Sequence, residues 1–144
     1  MRKRYPASTE EGIGPQLSES KVRICYFEHS SAMVGAPLSL LYLLQQLDLN
    51  KYQPVVVFLR ESGLRQAFQR LGIDTMVARG MSYFSHNTLE SVSLRYPRSW
   101  KQLFMFLPSA VQAYRVVRRL KPDIVHLNSS TLAAQAIGAK LARA

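Results

Sequence analysis

Lys121-Pro122-Asp123-Ile124-Val125-His126-Leu127-Asn128-Ser129-Ser130 is the stretch on which the fold turns. A Lys-Pro-Asp turn feeds a short apolar run, which ends in polar residues ahead of an Ala-rich helical segment. The same layout occurs earlier, at Ile24-Cys25-Tyr26-Phe27-Glu28-His29-Ser30-Ser31, ahead of Gly35 and another helix. In an open parallel sheet the residues just past the C-terminal ends of strands line the ligand crevice. His29, Ser30 and Ser31 from one strand end, and His126, Asn128, Ser129 and Ser130 from the other, are therefore candidates to line a crevice for a polar, phosphorylated ligand.

Working outward, Val22–Phe27 reads as a first, central strand, apolar on both faces. Pro37 suits the first turn of a helix, where its missing N–H costs nothing, and Leu38 to Leu47 continue it. Pro54–Leu59 is a second strand rich in β-branched residues. Leu64, Ala67, Phe68 and Leu71 share one helical face, Gly72 stops that helix, and Ile73–Ala78 is a third strand. Residues 79–106 show no clear period and read as a long basic and aromatic insert. Ala110, Ala113, Tyr114, Val117 and Leu120 then form one face of a helix whose other face is Arg. Ile124–Leu127 is the fourth strand, and Thr131–Arg143 a closing helix capped by Ser130 or Thr131.

Such alternation implies a Rossmann-like α/β fold with an open parallel sheet and right-handed crossovers. The expected strand order is 3-2-1-4, with the switch point between strands one and four, where both polar strand ends meet. Strand four would be a sheet edge, with little charge to protect it. That suggests residues 21–144 are an incomplete domain at the front of a longer protein, behind a flexible tail at 1–20 with almost no apolar content.

The bulk composition narrows the function classes. Hydrophobic content of 47% with 19% charged residues is that of a globular chain rather than a disordered one. No apolar run approaches the ~20 residues that span a bilayer. Met-Arg-Lys-Arg at the start lacks the apolar stretch of a secretory signal, which points to the cytoplasm. The lone Cys25 sits in an apolar run and reads as a buried thiol. His29, His86 and His126 are too scattered to suggest a metal site. Neither Gly-x-Gly-x-x-Gly nor a P-loop is present, so no dinucleotide or P-loop chemistry is expected.

The formal net charge is +10, so anionic partners are expected. Between Arg95 and Lys121 there are seven basic residues and no acidic one. Arg95, Arg98, Trp100, Lys101 and Phe104 interleave cations with aromatics, a composition that can lie on an anionic membrane, here at the inner face. A packed insert with a solvated basic side would look the same, and nucleic acid ranks behind both because no RNA-binding motif accompanies the charges.

Ile24–Phe27 with Met33-Val34-Gly35-Ala36-Pro37-Leu38-Ser39-Leu40-Leu41 resembles the first strand, glycine turn and helix of family 4 glycosyltransferases of the GT-B fold. Leu64–Ile73 resembles their approach to strand three, and Lys121–Asn128 their lysine-proline-aspartate-valine-valine-histidine strand. The resemblance covers about residues 21–143. It implies the acceptor-side half of an enzyme of hexosyltransferase type that moves sugar from a nucleotide-sugar co-substrate to a hydroxyl of a glycan or lipid-linked acceptor. It implies no metal and no other cofactor. Gly35 and Ala36 would lie beside the donor diphosphate, although Val34-Gly35 replaces the usual glycine pair. The family's later His and its C-terminal domain with two spaced glutamates have no counterpart here, so the chain alone would be inactive. Two other readings are a non-catalytic basic α/β module for anionic membrane or nucleotide, and another doubly wound enzyme such as a nucleotide-sugar epimerase.

Overall fold

A computed structural model describes the backbone of residues 20–83 and 97–143, with side chains at 20–83, 100 and 103–143. The expected tail at 1–20 falls, but for Ser20, outside the described residues. Among the described residues eight elements follow one another: β1 (Val22–Glu28), α1 (Ala36–Gln45), β2 (Tyr52–Phe58), α2 (Leu64–Arg70), β3 (Asp74–Val77), α3 (Pro97–Leu120), β4 (Ile124–Leu127) and α4 (Ala133–Arg143). The four strands form one sheet in the order β3-β2-β1-β4, and every pairing is parallel. This is the expected Rossmann-like α/β fold with its switch point between β1 and β4.

Alternation along β1 explains the two cores. Ile24 and Tyr26 pack with Leu40, Leu44, Val56, Phe58 and Phe68 on the α1–α2 side. Cys25 and Phe27 face the other way, onto Ala113 and Val117 of α3, Ala139 of α4 and Leu132 just before α4. A strand covered on both faces favours apolar residues throughout, which is how the central Ile24–Phe27 stretch of β1 reads.

The Lys-Pro-Asp turn is a clamp as well as a stop. Lys121 takes φ 46°, a left-handed conformation at the end of α3, and its N–H bonds to Val117 O at 2.8 Å. Pro122 cannot continue the helix. Asp123 Oδ2 then accepts the N–H of Arg23 at 2.7 Å, and the Arg23 guanidinium donates to Leu120 O at 2.7 Å. The end of α3 is thereby tied to the first residues of β1.

Several strand and helix ends shift by one or two residues from expectation, and two helix starts matter more. The helix before β4 begins at Pro97, so residues 97–106 are helical rather than irregular; Pro97 suits a first helical position. Its second half turns Ala110, Ala113, Val116 and Val117 to the core, while Tyr114 is 39% exposed. The last helix begins at Ala133 instead of Thr131. Ser129 bonds to the hydroxyl and N–H of Thr131, and Ala136 N–H reaches Leu132 O, which puts Leu132 at the cap.

Candidate functional site

The C-terminal ends of β1 and β4 meet at Glu28, and Arg60 just past β2 and Tyr83 in the segment after β3 join them through His29. Glu28 ends β1 fully buried, a costly position for a carboxylate unless its oxygens are satisfied. Oε1 accepts the N–H groups of His29 and Ser30, both at 2.8 Å. Oε2 accepts from Asn128 Nδ2, just beyond β4. The backbone continues the same junction: Leu59 N–H donates to Glu28 O at 3.0 Å, and Asn128 N–H to Phe27 O at 3.1 Å. Glu28 therefore ties the ends of β1 and β4 together and shapes the turn that leads into α1.

His29 lies half-buried over this carboxylate. Its Nδ1 is 3.7 Å from Glu28 Oε1, yet it is buried with no hydrogen-bond partner among the described residues. Its ring meets that of Tyr83 at 4.7 Å and 53°. The guanidinium of Arg60, just past β2, sits 5.1 Å from the Tyr83 ring centroid, a cation–π contact. Burial pulls the imidazole below its ordinary pKa; the Glu28 carboxylate opposes that and Arg60 adds to it. A neutral imidazole results at pH 7, able to take a proton from a hydroxyl that approaches it.

The α1 N-terminus opens beside this cluster. Gly35 occupies its cap at φ 58°, ψ −119°, a conformation that L side chains rarely adopt, and no side chain caps the helix. A Cβ at Gly35 would meet nothing within 4 Å, so the backbone conformation rather than crowding calls for glycine there. Pro37, buried in the first turn, removes one N–H donor. Ser31, Gly35 and Ser130 are exposed and Ala36 partly so.

Of the residues singled out from sequence, His29, Ser30 and Asn128 meet directly around Glu28. Ser129 spends its hydroxyl locally on Thr131. His126 is exposed on the α1 side of β4, its ring 5.2 Å from that of Tyr26. Trp100 and Phe104 are 47% and 74% exposed. Arg95 and the side chains of Arg98 and Lys101 lie outside the described residues. Arg60 and Tyr83 were missed: each sits alone in its loop, and only strand order brings them to His29.

Two clefts lie at the opposite end of the strands. One of about 580 Å³ involves Lys21, Arg23, Tyr52 and Asp74, and one of about 320 Å³ involves Arg118, Lys121 and Arg143. Ligands of open parallel sheets bind at C-terminal strand ends, so we place the candidate site at Glu28 rather than in either cleft. Among the described residues no group of His, Cys, Asp and Glu could hold a metal ion.

The fold has solved counterparts. The chain is similar to Anabaena Alr3699/HepE, a protein crystallised with UDP and glucose and also with UDP. Each comparison gives a TM-score of 0.56 at 15% identity over 85% of this chain. The chain spans only 28% and 27% of the length of those structures. No protein-family model matches the sequence, and no curated protein does.

Proposed function

We propose that the chain is the acceptor-side half-domain of a GT-B glycosyltransferase, of the family 4 type that its motifs resemble. The observation that carries this reading is the meeting of the β1 and β4 ends at buried Glu28, ahead of a helix N-terminus capped by Gly35. Likeness in fold to a protein solved with UDP and glucose supports it. In this reading the free N–H groups near Gly35 and Ala36, with the positive end of the α1 dipole, steady a nucleotide-sugar diphosphate. His29, Ser30, Ser31, Asn128, Ser129 and Ser130 line the acceptor side. Rate comes from positioning and charge stabilisation, without a metal.

The exposed edge of β4, where Ile124 is 45% exposed, supports completion by further structure. A second domain would hold most of the nucleotide-sugar, so the chain alone would bind donor weakly and turn nothing over. The acceptor would be a glycan or a lipid-linked hydroxyl, met at the cytoplasmic face of a membrane. Among the described residues no helix is long and apolar enough to cross one.

The test is an ¹⁵N-resolved NMR titration of the chain with UDP-glucose. Shifts concentrated at the amides of Gly35, Ala36, Ser129 and Ser130 support the reading; saturating UDP-glucose that leaves those amides unmoved overturns it. The basic stretch favours a second reading, a non-catalytic module for an anionic surface. Amide shifts with anionic vesicles and none with UDP-glucose would select it.

A further inference from the structure

Helix α3 is apolar on two opposite faces; one packs on the core, and among the described residues the other is largely exposed. At 100° per residue, Trp100, Phe104, Leu107, Val111, Arg115 and Arg118 fall within an arc of about 80°. That arc is opposite Ala113, which is fully buried against the core. Phe104 and Leu107 are 74% and 70% exposed, and Leu103 and Tyr114 widen the stripe on one flank. Scattered exposed apolar residues need no explanation, but a continuous stripe four turns long does.

The helix also overshoots the sheet. Its last residue meets Arg23 at the start of β1, while Gln112 Nε2 reaches Arg79 O just past β3 and Ser109 Oγ accepts from Ser82 N–H. By Ser109, then, α3 has already passed the C-terminal strand ends. Residues 97–108 run on for about 18 Å more, on the side of the Glu28 cluster. None of their described side chains is buried.

We infer that this outward face of α3 docks on an anionic lipid bilayer. Charge decides between occupants. The helix contains no acidic residue along its 24 positions, while Arg115 and Arg118 lie on the outward stripe and Lys101 and Arg119 belong to its flank by helical spacing. A protein partner's apolar groove would be served by the stripe alone, and nucleic acid by the arginines alone. Aromatic and aliphatic residues in line with exposed arginines match the two layers of a membrane interface: acyl boundary below, phosphate headgroups around it. Docked in this way, α3 would hold the Glu28 end of the sheet close to the lipid surface. The inference does not rest on sugar transfer.

Trp100 is the only tryptophan in the chain, so its fluorescence reports on the stripe itself. The full 144-residue chain is mixed with phosphatidylcholine vesicles, with and without phosphatidylglycerol. The expected result is a blue shift and co-sedimentation with the anionic vesicles only, both weakening as salt rises. Phe104→Ser and Leu107→Ser should each lower partitioning by about tenfold or more with an unchanged urea midpoint, because both side chains are solvent-facing. Arg115→Gln with Arg118→Gln should flatten the salt dependence. Equal recovery with neutral and anionic vesicles would overturn the inference. So would binding to an RNA homopolymer or to a second copy of the chain with no affinity for anionic vesicles.

Discussion

Glu28 and Asn128 stand 100 positions apart and meet side chain to side chain, Asn128 Nδ2 donating to a carboxylate oxygen that solvent does not reach. The other oxygen is held by two backbone N–H groups, so Asn128 is the side-chain donor of this arrangement. Asn128→Ala should destabilise the protein by about 1–3 kcal/mol by stranding a buried acceptor. Asn128→Asp should cost more at neutral pH, because it sets a second carboxylate against the first. That excess should shrink in mild acid as one of the pair takes up a proton. Urea midpoints at the two pH values check both statements, and equal losses for the two variants would show that the bond is incidental.

His29 supplies a pH dependence with a defined sign. Its pKa in the folded chain lies below the ordinary 6.5, chiefly through burial. Above 6.5 the imidazole is neutral in both states and its contribution to stability is complete. Below 6.5 the unfolded chain takes up a proton that the folded chain resists, so stability falls with pH until the folded value is passed. An NMR titration of the His29 ring should give a midpoint below 6.5, and Arg60→Gln should raise it by removing a nearby positive charge. A midpoint above 6.5 would mean that Glu28 outweighs burial.

Strand order and both polar strand ends were legible because a doubly buried strand and the turn residues around it are local patterns. Pro37 and Lys121-Pro122-Asp123 announced a helix start and a helix stop for the same reason. The first half of α3 was not legible as a helix. Its apolar residues do recur at helical spacing, but on the outward face, mixed with cations and interrupted by Pro108. The structural role of Glu28 was not legible either: its carboxylate accepts the N–H groups of the next two residues and an Asn128 N–H that joins β1 to β4. Arg60 and Tyr83 carried no signal at all. Their place beside His29 depends on the strand order 3-2-1-4 and on the path of the chain after β3, neither of which a local pattern encodes.

Cys25 should be chemically silent. Its side chain is fully buried between β1 and the α3–α4 layer, and burial pushes the thiol up to about 12. Thiolate is the reactive form, so a disulfide reagent at mildly alkaline pH should leave the native chain unmodified and label it at once in urea. Labelling of the folded chain at the rate of a free thiol would contradict the packing of β1.

Gly138 carries the contact between α3 and α4. A Cβ there would overlap the Ala110 carbonyl oxygen and come within 2.9 Å of Ala113 Cβ and the Tyr114 backbone nitrogen. Two effects oppose each other in Gly138→Ala. Alanine is the better helix former by about 1 kcal/mol, but the obstruction is backbone, which cannot swing aside as a side-chain tip would. Forcing extra volume into a packed contact costs about 1–3 kcal/mol, and here the two helices must separate to admit it. The overlap should win, lowering the thermal midpoint. Lys140→Ala, two positions on and exposed, should leave the midpoint nearly unchanged. A Gly138→Ala protein as stable as the parent would mean that α3 and α4 pack farther apart than this contact requires.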